Sequence, residues 1–265
     1  MLPDIKVCHE KGYVLVQVPE DYSPETDESY KLIRRIKYGN EEKVLLDSFL
    51  LAAGGEAGIV YYDYLCLPGE IYEYAFQLID SSEIAWKSAQ PLEESIILSD
   101  SEHTLYIKYN PKMSSFKSTI LEQKIDTIGS KYPFFFRNGN VNYKEMPIAG
   151  LISYQADEFG AFDERFAAAA INDFGSRPSV LKDRPDDYYL ERIYKREVEK
   201  WLTNGQPKLL RTLTEGAFIV RLMNVSLSPE DRLGRRIHSF QATAYEIAEA
   251  NEANLEKYNL MEDKI

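Results

Sequence analysis

The amino-acid sequence predicts a mainly β protein with one prominent helix: an N-terminal β-sandwich followed by a second β module of barrel or sandwich type with the helix packed on it. Three observations carry this. Apolar and polar residues alternate over Tyr72–Leu78. Turn signals punctuate the first 95 residues at the spacing of a sandwich. Sustained helical spacing of apolar residues is confined to 186–202.

The first module, residues 1–95, reads as about seven short strands. Tyr13, Leu15 and Gln17 alternate with Val14, Val16 and Val18, a β-branched run ended by Pro19. A polar loop follows. Tyr30–Tyr38 is strand-like, Gly39-Asn40 signals a turn, and Val44–Phe49 returns. Ala52–Gly58 is a small-residue loop, Ile59–Leu65 a strand, and Pro68-Gly69 turns the chain. Tyr72, Tyr74, Phe76 and Leu78 then share one face, with Glu73 and Gln77 on the other. Residues 96–103 read as a short ordered linker, without the Gly/Ser composition of a flexible tether.

The second module spans residues 104–248. Leu105–Tyr109 is a strand closed by Asn110-Pro111, and Phe116–Ile125 a long one broken at Thr127–Ser130. Asn138-Gly139 is a strong hairpin signal, so Tyr132–Phe136 and Val141–Glu145 are expected as the two arms of a hairpin. Pro147–Tyr154 is the next strand, with Gly150 at a bulge or a close backbone approach. Residues 155–185 mix helix formers with Gly and Pro breaks and read as a functional insertion or local disorder, with a short helix as the reading of the part where Phe159, Phe162 and Phe166 recur at i, i+3 and i+7. In the helix 186–202, Leu190, Ile193, Tyr194, Val198, Trp201 and Leu202 line one face. Asp183 or Asp186 suits its start and Asn204-Gly205 its end. Two long strands, Phe218–Leu227 and Ile237–Ile247, flank a loop containing Arg232, Arg235 and Arg236. Residues 249–265 read as an acidic C-terminal tail, either helical or frayed.

Composition narrows the function classes. The 265 residues carry 31 Lys+Arg and 43 Asp+Glu, a net charge of −12. Residues 1–99 hold 8 basic and 18 acidic residues, and residues 100–265 hold 23 and 25. The acidity therefore belongs to the first module (−10), while the rest is near balance (−2). Tight DNA binding by phosphate neutralisation is disfavoured. Two cysteines cannot staple a secreted mini-domain. No apolar run reaches transmembrane length, and the start MLPDIKVCHEK lacks the order of a signal peptide, so no membrane partner is expected.

No catalytic, metal or cofactor-binding residue is nominated. His9, His103 and His238 are far apart and outside any metal-binding spacing. Cys8 and Cys66 read as reduced, packed thiols, with an inter-sheet neighbour relation as the other reading. Gly-x-Ser-x-Gly and P-loop patterns are missing, and with 43 acids no carboxylate pair stands out. Asp183, Asp186 and Asp187 are accounted for by charge at a helix start. The basic cluster Arg232, Arg235 and Arg236 is read as a solvated loop, or as an inter-subunit or channel contact with an acidic neighbour or passing nucleic acid.

Two resemblances add to this reading. Leu67-Pro68-Gly69 followed by Tyr72-x-Tyr74-x-Phe76 resembles a fibronectin type III-like or immunoglobulin-like sandwich, although the Trp common on an early strand is missing, with Gln17 near its place. Trp201-Leu202, Lys208-Leu209-Leu210, Phe218-Ile219-Val220-Arg221-Leu222 and Ala244-Tyr245-Glu246, in that order, resemble tailed-phage distal tail and tail-tube-like baseplate proteins over residues 104–247. The second resemblance implies a structural virion protein of a phage tail or baseplate. It implies copies assembled in a ring, commonly hexameric, with other tail proteins as neighbours and DNA as transient cargo. It implies no cofactor. Two other readings are a carbohydrate-binding or surface-adhesion module, suggested by 19 Tyr on β structure, and a cell-wall hydrolase, for which no residues are nominated.

Overall fold

A computed structural model describes residues 2–8, 11–19, 22–39, 41–52, 58–79, 81–93, 95–114, 117–125, 134–153, 187–229 and 237–261. The chain divides into two compact units. The first comprises Met1–Ser99 with Arg211–Ala217, and the second Asp100–Leu210 with Phe218–Ile265.

Seven strands build two antiparallel sheets in the first unit. One contains β1 (Asp4–Cys8), β2 (Tyr13–Gln17) and β5 (Ile59–Asp63), in the order β1-β2-β5. The other contains β3 (Glu28–Ile36), β4 (Glu42–Leu51), β6 (Tyr72–Leu78) and β7 (Lys87–Ser88), in the order β4-β3-β6-β7. Alternation dictates which side chains fill the core. Val14 and Val16 from β2, Tyr30 and Leu32 from β3, and Tyr74 and Phe76 from β6 are all buried. Strand β6 departs from simple alternation, because Tyr72 through Phe76 are buried without a break. Glu73 is accommodated by charge: Arg35 Nε donates to its carboxylate at 2.8 Å, and Arg35 lies 4.0 Å from the Trp86 ring centroid. The Tyr72 hydroxyl accepts the Leu67 amide at 3.1 Å, pinning the Pro68-Gly69 corner to the start of β6. Residues 96–103, expected as linker, include strand β8 (Ile96–Ser99), all four of whose residues are buried.

The second unit is dominated by long strands. These are β9 (Thr104–Ile107), β10 (Tyr109–Met113), β11 (Lys117–Ile125), β12 (Phe134–Ser153), β13 (from Lys208, ending at Thr212), β14 (Gly216–Pro229) and β15 (Ile237–Glu249). The sheet order runs β10-β12-β15-β14-β13, with β11 also on β12. Gly150, expected at a bulge or a close backbone approach, has both: the register of β10 with β12 shifts opposite it, between Tyr109 and Lys112, and the space around it is filled. A Cβ there would lie 2.2 Å from Ile107 Cγ2 and 3.2 Å from the Tyr109 carbonyl oxygen.

Asn138-Gly139 does not reverse the chain. Strand β12 runs through it for 20 residues. The register with β11 shows why: Ile120 faces Asn142 and Glu122 faces Arg137, so one residue of β11 opposes four of β12. The excess is absorbed as a bulge, which an Asn-Gly pair tolerates as readily as a turn. Helix α1 covers Asp187–Thr203 and buries Val198, Trp201 and Leu202. Gly205 follows it at φ +69°, the left-handed stop expected of Asn204-Gly205. A second helix, α2 (Glu252–Lys257), stands in the acidic tail, capped by the Asn251 side chain on the Asn254 amide. The mainly β class is thus what the structure has, as several antiparallel sheets. No sheet closes into a barrel among the described residues, because β10 and β11 lie along one side of β12 and the far side of the sheet ends without returning to them. No described helix is long and apolar enough to cross a membrane. The insertion at 155–185 and the loop with Arg232, Arg235 and Arg236 lie outside the described residues.

Candidate functional site

The second unit holds a cleft of about 440 Å³. Its walls come from the turn Asp100–His103, the last turns of α1 with the stretch after it, and the residues following α2. Asp100 organises it. One carboxylate oxygen accepts the amides of Glu102 at 3.0 Å and His103 at 2.8 Å, and the Asp100 amide donates to the His103 carbonyl at 2.9 Å. A tight turn closed by its own first side chain results. The other oxygen accepts the indole N–H of Trp201 and, at 3.3 Å, the ammonium of Lys208.

Lys208 is 1% exposed. Its ammonium also reaches Asn204 Oδ1 at 3.3 Å and lies 4.1 Å from the Trp201 ring centroid. Burial pulls its pKa below the ordinary lysine value, and the Asp100 carboxylate opposes that shift. The His103 ring meets the Trp201 indole edge-on at 6.1 Å. Toward solvent the lining carries Glu102, Glu197, Lys200, Gln206, Tyr258 and Asn259, and Glu197 pairs with Lys200 at 3.7 Å. The floor is a built polar network and the rim carries carboxylates beside the C-terminal end of α1. This arrangement suits recognition of a polar or cationic group.

A second buried network lies in the first unit. Arg34 Nη1 meets Asp63 Oδ2 at 2.5 Å, and the same oxygen accepts the Tyr74 hydroxyl at 2.9 Å. That hydroxyl is 3.0 Å from Cys66 Sγ. Burial, followed by the Asp63 charge, pushes the Cys66 thiol well up, which keeps it protonated and a poor nucleophile. Arg211 is completely buried here. Its guanidinium donates to the carbonyl of Gly12, to those of Tyr64 at 2.9 Å and Cys66 at 3.4 Å, and to Ser99 Oγ at 3.2 Å.

The residues singled out in the sequence fall as follows. Cys8 and Cys66 are both free, the first half-buried and the second buried. His103 stands in the cleft, while His238 is buried on β15 opposite Ile152, with its pKa brought down to about 4 by burial and then by the Lys195 charge. His9 lies outside the described residues, among which no group of three metal-ligating side chains occurs. Asp100 and Arg211 were not singled out by sequence, and Lys208 entered only as the first residue of Lys208-Leu209-Leu210. The signal present for Lys208 and Arg211 was a Lys and an Arg flanking Leu209-Leu210 in the short strand Lys208–Thr212, every residue of which is buried. No protein-family model matches the chain, and no curated protein is similar to it at a significant level.

Proposed function

We propose that the chain is a structural protein of a phage tail or baseplate, forming part of a ring around the DNA channel. The observation that carries the reading is the length of β12 relative to its partners. Residues 145–153 of β12 pair with β15, whereas residues 134–144 pair only with β11 among the described residues. Such a ribbon extends beyond its own sheet and offers an open edge, which a neighbouring copy closes. A ring subunit needs strands of this kind.

The order of elements over residues 104–247 supports the same reading through its likeness to distal tail and tail-tube-like proteins. In the first unit, the sheet orders β1-β2-β5 and β4-β3-β6-β7, with the Tyr72 hydroxyl on the Leu67 amide, support a fibronectin type III-like or immunoglobulin-like sandwich. In this reading that sandwich docks other tail proteins, DNA passes as transient cargo, and the protein resides in the virion. Carbohydrate binding has less support, because Tyr13, Tyr30, Tyr64, Tyr72, Tyr74 and Tyr106 are buried and present no face to a sugar.

Light scattering with negative-stain imaging of the full chain tests the proposal. Rings with a central hole are expected. A chain that stays monomeric at every concentration and binds sugars on a glycan array would sink it.

A further inference from the structure

We infer that Asn204-Gly205 is a site of self-modification: the folded chain converts Asn204 to aspartate and isoaspartate through attack of the Gly205 amide nitrogen on the Asn204 side chain. The inference is independent of the ring reading. It rests on Asn204, Gly205, Gln206 and Lys208, all in the second unit.

The carbonyl under attack is already activated. Asn204 Oδ1 accepts the Gln206 amide at 2.9 Å and the Lys208 ammonium at 3.3 Å. Both partners are donors, so the atom between them is the oxygen and not the nitrogen. When a nucleophile adds to Cγ, negative charge gathers on that oxygen. Two donors already point at it, one of them charged, which is the arrangement of an oxyanion hole. The C-terminal end of α1 stands beside Asn204 and disfavours negative charge there. The Lys208 ammonium, itself buried, is therefore the donor that decides whether the addition proceeds.

Gly205 supplies the nucleophile. The turn made by Asn204 Oδ1 on the Gln206 amide folds the side chain back along the main chain that follows it. Gly205 has φ +69°, and a Cβ built on it would meet nothing within 4 Å. No side chain screens its nitrogen. Its N–H donates to no backbone acceptor among the described residues. Asn204, Gly205 and Gln206 are exposed, so water reaches both the amide proton and the leaving group.

The steps balance with water as the co-reactant. Water or hydroxide takes the Gly205 amide proton as the nitrogen bonds to Asn204 Cγ. The Cγ–Nδ2 bond breaks, ammonia leaves, and a cyclic imide joins the two residues. Hydrolysis of the imide at Cγ restores the main chain with an aspartate at position 204. Hydrolysis at the main-chain carbonyl leaves an isoaspartate, with the chain running through Cγ. Either product adds a negative charge to the lining of the cleft, beside Lys208.

The sequence holds a second Asn-Gly pair, Asn138-Gly139, inside β12. Extended backbone there does not bring the following nitrogen to a near-attack position. The two pairs are alike in sequence and differ in fold, which makes one the internal control of the other.

Full-length wild-type protein aged at mildly alkaline pH, then digested and mapped by mass spectrometry, tests the inference. Isoaspartate is scored by enzymatic methylation, and a parallel sample is aged in urea. In urea the two pairs should react at similar rates. In the folded chain, Asn204 should show the mass gain of an –NH2 to –OH exchange at least about tenfold faster than Asn138. Asp100→Asn with Lys208→Met, its folding confirmed by a thermal transition, should slow the folded-state reaction several-fold and leave the rate in urea unchanged. Asn204 intact in the folded chain while it reacts in urea would overturn the inference. So would Asn138 reacting first, a chain cut after Asn204 in place of the mass gain, or a folded double variant that reacts as fast as the wild type.

Discussion

The ammonium of Lys208 sits 3.3 Å from Oδ2 of Asp100, although the two residues are 108 positions apart in the chain. The lysine is buried and the carboxylate nearly so, and the indole of Trp201 donates to the same oxygen. A buried charge of this kind is tolerated only while its partner remains. Asp100→Asn keeps an oxygen for the Glu102 and His103 amides but removes the charge. It should lower stability by about 3 kcal/mol in urea denaturation. Adding Lys208→Met should recover most of that loss, since replacing the whole pair by apolar bulk costs far less than breaking it. A double variant as unstable as the sum of its parts would show that the two residues act independently.

Arg211 makes a separate prediction in the first unit. Its guanidinium satisfies three backbone carbonyls and a hydroxyl inside a buried site. Arg211→Ala leaves those acceptors dry and should cost roughly 3–5 kcal/mol. Arg211→Lys should rescue little, because one ammonium cannot span the positions that two guanidinium nitrogens reach. Chemical denaturation of both variants checks this, and a fully stable Lys variant would contradict it.

Gly150 is expected to resist even the smallest side chain. A Cβ would fall 2.2 Å from Ile107 Cγ2, so Gly150→Ala should destabilise by about 1–3 kcal/mol through overpacking. Ile107→Ala alone should also destabilise, by about 2–5 kcal/mol from the cavity it leaves. The pair should cost clearly less than the sum, since each change relieves the other. Strict additivity in thermal melts would rule out the clash.

His238 ties stability to pH. Its folded pKa is about 4, below the ordinary histidine value of 6.5, with burial as the main cause and the Lys195 charge second. Between those values the unfolded chain binds the extra proton and the folded chain does not, so stability rises with pH across the window. The contribution is present in full above pH 6.5 and is lost as pH falls toward 4. His238→Gln should flatten the stability profile in that range. A profile with unchanged slope in the variant would assign the pH dependence to other groups.

How much of this was legible beforehand differs from element to element. Helix 186–202 and its stop at Asn204-Gly205 could be read because helical periodicity and left-handed tolerance are local properties. Five strands of the first module were legible from β-branched and aromatic runs between turn signals, whereas β1, β7 and the unbroken burial of Tyr72–Phe76 were not. Asn138-Gly139 shows the limit. The pair fits a turn and a bulge equally well, and the choice was made by β11, whose register leaves one residue to oppose four. The cleft was illegible for a related reason: Asp100 and Trp201 are 101 residues apart, and nothing local to either says that they meet.

By itself, the sequence determined the β class, the long helix ending at Asn204-Gly205, the concentration of negative charge in the first 99 residues and Gly150 as a place where a side chain is not wanted. All of these follow from periodicity, composition or the lack of a side chain, and need no knowledge of distant neighbours. Tertiary structure alone decided the fate of the buried charges. Lys208 and Arg211 lie three residues apart on one strand, yet Lys208 joins an ion pair with Asp100 in the second unit and Arg211 a cage of carbonyls in the first. A charge can be buried only where partners converge on it, and those partners come from chain segments that meet only once the protein is folded.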